Sequence, residues 1–273
     1  MTDIFQLPFL FQAFLACLVL ALVLPYFGLH VVRRRIVFVD LAIAQISAVG
    51  VAVAVLLDKE PTFYSLVFTL AGAGLLSFPE RKSKIPQEAV MGIVYAVASA
   101  VSILIVSQSP HGEADVLKIF FGNILASEPG QVKSMAAVLL AVLAFHLIFY
   151  RRFVSLSFEE GKKVVKKGLW NLFFYLTLGL CIALAIRTAG VLLVFTYLIV
   201  PAVGALLVAE RFWPRFWAGL GFAILASYFG LFLSYKADLP TGSTLVATFG
   251  LFLLLIALTR WLLKIFQKKE EQL

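Results

Sequence analysis

The sequence predicts an all-α fold, a polytopic transmembrane helical bundle of about nine helices (eight at the lower count) in one domain spanning residues 1–273. Three observations predict it. The chain is 62% hydrophobic and only 14% charged, with a mean hydropathy of +1.00, whereas soluble domains run near half apolar and a quarter charged. Apolar runs of about 18 to 25 residues recur, the length that crosses about 30 Å of hydrocarbon. Basic residues also cluster on alternate connections, as the positive-inside rule requires.

The predicted spans are 8–31, 36–57, 61–78, 88–108, 132–150, 168–186, 189–208, 214–235 and 241–263. The first follows a start, MTDIFQLPFL, that carries Asp3 and no basic region, so no cleavable leader is expected. The second is rich in small residues, among them Ala42, Ala44, Ser47, Ala48 and Gly50, and the third holds Ala71 to Gly74. Small residues let helices approach closely in lipid. Between the fourth and fifth spans lies KIFFGNILA, apolar but too short to cross, which predicts a re-entrant or interfacial helix.

The connection after the fifth span reads RRFVSLSFEEGKKVVKKG. Ser157, Glu159 and Glu160 precede Lys162, Lys163, Lys166 and Lys167, an acidic start and a basic finish that suit a short surface helix. It is either a solvated segment or a helix that docks on a soluble partner. In the seventh span Thr196 and Tyr197 precede Pro201, which frees a backbone carbonyl beside a cavity or at a packing kink.

Assigning the basic-rich connections to the cytoplasm puts 18 of the 23 Lys and Arg residues on that side. The N-terminus is then outside and the C-terminus cytoplasmic. The net charge of +8 follows from this bias and from attraction to anionic membrane lipid, so no nucleic acid partner is expected.

Ionisable groups inside a bilayer are functional candidates by default. Asp40 lies near the start of the second span, where it either pairs with an arginine of its own turn or stands on a transport path. Gln45 either bonds a neighbouring helix or lines the path, and Ser47 shares a face with Asp40. His30 and His146 fall near the cytoplasmic helix ends and read as interfacial. His111, Glu113 and Asp115 form an outer cluster, able to hold a cation or simply solvated. Cys17 and Cys181 sit inside spans as small packing residues, with no disulfide or metal site expected. No H-E-x-x-H, G-x-S-x-G or G-x-x-x-x-G-K-[ST] signature is present, so the chain is not expected to be an enzyme, and any ATP would bind another subunit.

Six segments in register resemble the ABC-3 family of bacterial membrane permeases for zinc, manganese and iron. They are RRRIVFVDLAIAQISAVG (33–50), GIVYAV (92–97), FFGNILA (120–126), SFEEGKKVVKKG (157–168), IRTAGVLLVFTYLIVPA (186–202) and SYKADLPTG (234–242). The resemblance implies a permease in the bacterial cytoplasmic (inner) membrane, a homodimer or a pair of such permeases on two ATP-binding subunits. An extracellular or periplasmic metal-binding protein would feed it. It implies transport of a divalent metal, with no cofactor bound by this chain, and makes 157–168 the loop that couples to the ATPase. The last segment adds Asp238 to the outer-face candidates.

One departure stands out. Where many relatives carry an Asp and a His four apart on the second helix, this chain has Leu41 and Gln45. The alternatives are a permease for a chelated metal or cobalamin-like ligand, and a membrane assembly subunit that transports nothing.

Overall fold

The computed structural model describes residues 7–78, 85–108, 124–158 and 166–270. Among them are ten α-helices: α1 (Pro8–Arg33), α2 (Val39–Leu56), α3 (Pro61–Leu76), α4 (Gln87–Val106), α5 (Pro129–Ile148), α6 (Tyr150–Phe158), α7 (Lys167–Ala189), α8 (Val191–Val208), α9 (Phe212–Ala237) and α10 (Thr241–Glu270). A single 3-10 turn, Ile124–Ala126, is the described part of the predicted re-entrant segment. All nine predicted runs are helical. Eight helices are long and apolar enough to cross a membrane, while α3 falls short at 16 residues.

Local chemistry sets the helix ends. Proline stands at the start of α1, α3 and α5, where its missing N–H removes no hydrogen bond. The Glu60 carboxylate accepts the Phe63 N–H at 2.9 Å and caps α3. Arg35 and Asp58 take left-handed conformations in the tight turns on either side of α2. Gly190, with φ 81°, breaks the chain between α7 and α8, a conformation that glycine adopts without a steric penalty.

Two groups of helices result. In one, α2 packs on α3 and α4; in the other, α1 packs on α8 and α9, which also pack on α10. The bridge between them is α7, which touches α2, α3, α5 and α8. The tightest approach joins α1 to α8: a Cβ added at Gly28 would lie 1.8 Å from the Leu198 carbonyl oxygen. Nearby, Gly219 of α9 faces both Pro25 of α1 and Pro201 of α8; an added Cβ would meet the Pro201 carbonyl oxygen at 3.3 Å and the Pro25 Cβ at 3.6 Å.

Short turns make successive helices antiparallel, so the bundle has two ends. The basic end gathers Arg33 to Arg35, α6, Lys166, Lys167 and Arg211. The opposite end gathers the α2–α3 turn, Gly190 and Asp238 to Pro240. Apolar side chains such as Ile93, Val97 and Leu104 of α4 and Leu254 and Leu258 of α10 face outward, as lipid permits.

Candidate functional site

The polar residues of α2 are buried. Asp40 is 2% exposed, and its Oδ1 has no hydrogen-bond partner. Of the arginines near its own turn, Arg34 and Arg35 do not pair with it. The left-handed turn points Arg35 to the exterior, and Arg34 is held elsewhere. Gln45 is buried on the same helix, and Ser47 Oγ bonds Ser65 Oγ of α3 at 2.7 Å. This hydroxyl pair borders a cavity of about 300 Å³ at the opposite end, whose walls include Thr62, Gln131 and Arg187. Hydroxyl, amide and guanidinium groups line it beside apolar Val51, Ala183 and Ile186, and among the described residues no carboxylate does. Glu60 caps α3 close by. Hydrogen bonds from the Thr62 hydroxyl and the Phe63 N–H, with a smaller contribution from the Arg187 charge, hold its carboxyl below the usual glutamate range.

The α8 candidates lie apart from these. Thr196 Oγ1 donates to the Leu192 carbonyl at 2.8 Å, Tyr197 OH bonds Ser227 Oγ of α9, and Pro201 is buried. All three sit inside the packing of α1, α8, α9 and α10, and α8 touches α2 only lightly. Asp238 is exposed, at the left-handed turn that closes α9. Beside that turn a second cavity, about 610 Å³, is bordered by Leu125, Leu192, Leu239, Pro240 and Thr241. His111, Glu113, Asp115, Glu159, Glu160, Lys162 and Lys163 lie outside the described residues. Among the described residues no three His, Cys, Asp or Glu side chains come together as a metal centre.

Ser157 does not begin a surface helix. It lies within α6, whose last residue is Phe158. There it takes part in a feature that the sequence reading missed. His30 and His146, expected at the interface, are fully buried, because α6 folds back over them. His30 Nδ1 and Ser157 Oγ are hydrogen bonded at 2.9 Å, and His146 Nε2 bonds Thr177 Oγ1 at 2.8 Å. The His146 ring stacks on Phe153, 3.8 Å between centroids and 12° from parallel. Tyr26, Phe27, Phe158, Phe174 and Phe212 complete an aromatic socket. Within it Tyr26 OH, His30 Nε2 and His146 Nδ1 have no partner. The readable signal was the spacing of Phe153 and Ser157, four apart on one helical face.

Arg34 forms a second link at this end. It donates to Asn171 Oδ1, and Asn171 Nδ2 donates to the Ser77 carbonyl, joining the ends of α1, α7 and α3. Its guanidinium lies 4.6 Å from the Phe174 ring centroid and 5.4 Å from that of Tyr175. Burial pulls its pKa below the ordinary arginine value. Gln87 of α4 donates to Tyr175 OH at 2.7 Å.

The arrangement is a helical bundle with an aromatic socket at its basic end, cavities at the other, and oxygen-bearing side chains along part of α2. The ABC 3 transport family matches residues 6–260. The chain is 28% identical to the manganese transport system membrane protein MntC of Listeria innocua, over 97% of this chain and 96% of that protein. It is 25% identical to the manganese import system permease protein ScaB of Streptococcus parasanguinis, over 92% and 90% of the two chains. The solved structure of PsaBC from Streptococcus pneumoniae in complex with Fab superimposes with a TM-score of 0.77 at 26% identity, covering 93% of each chain. Fold, membrane spans and these similarities agree, and the chain belongs to the ABC 3 transport family.

Proposed function

We propose that this chain is the transmembrane permease subunit of an ATP-driven importer for divalent metal ions, manganese first and zinc or iron next. The observation that carries the reading is similarity over nearly the whole chain to proteins named for manganese transport. Energy comes from an ATP-binding subunit seated at the basic end, which the charge bias makes cytoplasmic. An extracellular metal-binding protein delivers the ion to the opposite end, where the two cavities open. The permease works as a pair of copies, and the ion is cargo. Hydroxyl and amide oxygens along α2, with Leu41 and Gln45 in place of an Asp and a His, bind a hard cation weakly enough to release it.

Arg187, a cation in the wall of the 300 Å³ cavity, favours a second reading, in which the metal arrives within an anionic chelate. Elemental analysis of cells with and without the gene, in manganese-poor and zinc-poor media, tests both. A selective fall in one metal, restored by adding its free salt, supports the ion importer. A fall restored only by chelated metal supports the second reading. Unchanged metal content sinks both.

A further inference from the structure

We infer that His30 is a positioning residue that locks α6 to α1, so that a displacement of α6 is passed to α8. This rests on the permease reading above and names the joint through which the ATP-binding subunit's movement enters the bundle.

A nine-residue helix does not hold its place unaided. Contacts that hold α6 include Phe153 on His146 of α5 and on Trp170 of α7, Phe158 against Phe212 of α9, and Ser157 bonded to His30 of α1. Ring contacts of this kind tolerate sliding and tilting. A hydrogen bond is directional, so the His30–Ser157 contact fixes the angle of α6 against α1.

Beyond His30 the route is short. Gly28 lies two residues earlier and packs directly on the Leu198 backbone, with no side chain between to absorb a shift. Leu198 sits between Tyr197 and Pro201, where α8 lacks one backbone rung. A push on His30 therefore reaches the bendable stretch of α8. His30 Nε2, His146 Nδ1 and Tyr26 OH lie buried in the same socket, with no partner among the described residues.

The test uses the chain assembled with its ATP-binding subunit in liposomes, with Mn2+ uptake and ATP hydrolysis read together. His30→Phe keeps a ring but removes the bond, Ser157→Ala removes one oxygen, and His30→Asn offers an amide near the position of Nδ1. Ions moved per ATP are expected to fall about two- to ten-fold in His30→Phe and Ser157→Ala, beyond any loss of folded protein and at an unchanged hydrolysis rate per folded complex. The double variant should be no worse than either single one, and His30→Asn should recover the ratio. A wild-type ratio in Ser157→Ala overturns the joint even if His30→Phe does not fold, as does a loss that only follows the amount of folded protein. If the wild-type complex moves no manganese, the permease reading for that ion fails. The joint is then judged by hydrogen exchange alone: an ATP-dependent change in α8 that survives in Ser157→Ala overturns it.

Discussion

The two ends of the bundle are built differently from the same ten helices. At the basic end, α6 closes an aromatic socket over His30 and His146, and Arg34, Asn171 and Ser77 link three helix ends. At the opposite end no such strap is seen among the described residues, and cavities of about 300 and 610 Å³ separate the helices. The difference teaches where each kind of residue earns its place. Aromatic rings and shared hydrogen bonds hold an end shut, while small hydroxyls such as Ser47, Thr62 and Ser65 leave room beside a helix without leaving its polar atoms stranded.

Cysteine labelling gives the largest contrast. The natural Cys17 and Cys181 are buried and give little background. In detergent, where both ends meet solvent, Gln131→Cys and Thr62→Cys should react fully with a polar maleimide, and Ser157→Cys should stay unlabelled. Equal labelling at both ends would erase the distinction.

Gly28→Leu comes next. Overpacking ordinarily costs about 1–3 kcal/mol, but here the obstacle is a backbone carbonyl 1.8 Å away rather than a side chain that can swing aside. Loss of monodisperse protein on size exclusion is expected, and a normal profile would mean that α1 and α8 part more easily than their packing indicates. Asn171→Leu should lower stability by about 1.5–3 kcal/mol, since it strips an acceptor from the Arg34 guanidinium and a donor from Ser77. Thermal unfolding in detergent measures it.

The smallest effect is expected at Glu60, an exposed cap at the hollow end. Its folded-state pKa is lowered, so its contribution is present above the ordinary glutamate value and is lost as pH falls through the lowered one. Wild type and Glu60→Gln should therefore differ slightly at neutral pH and converge well below about pH 4. A difference that grows with acid would reverse the sign.

The spans were legible because hydrocarbon thickness imposes one length on every crossing helix. Of the nine predicted spans, α3 alone falls short of a crossing, at 16 residues. The fate of α6 was hidden. Arg151 and Arg152 made Tyr150–Phe158 look like a solvated connection, while Phe153 and Ser157, four apart, turn inward together. His30 and His146 lie more than a hundred residues apart, and nothing local tells either that Tyr26 packs against both. Proximity in sequence offered Arg34 to Asp40 as a partner, but Arg34 is drawn to Asn171 and the rings of α7. The α2 and α8 candidates are buried, and the two helices that carry them touch only lightly.

Pro25 and Pro201 meet at Gly219, so α1 and α8 each lose a backbone rung at one depth, and α9 has no side chain there to splint them. Three helices thus share one soft storey in an otherwise stiff building. Bending concentrates there, and the helix segments above and below can tilt as blocks while their own ladders stay whole.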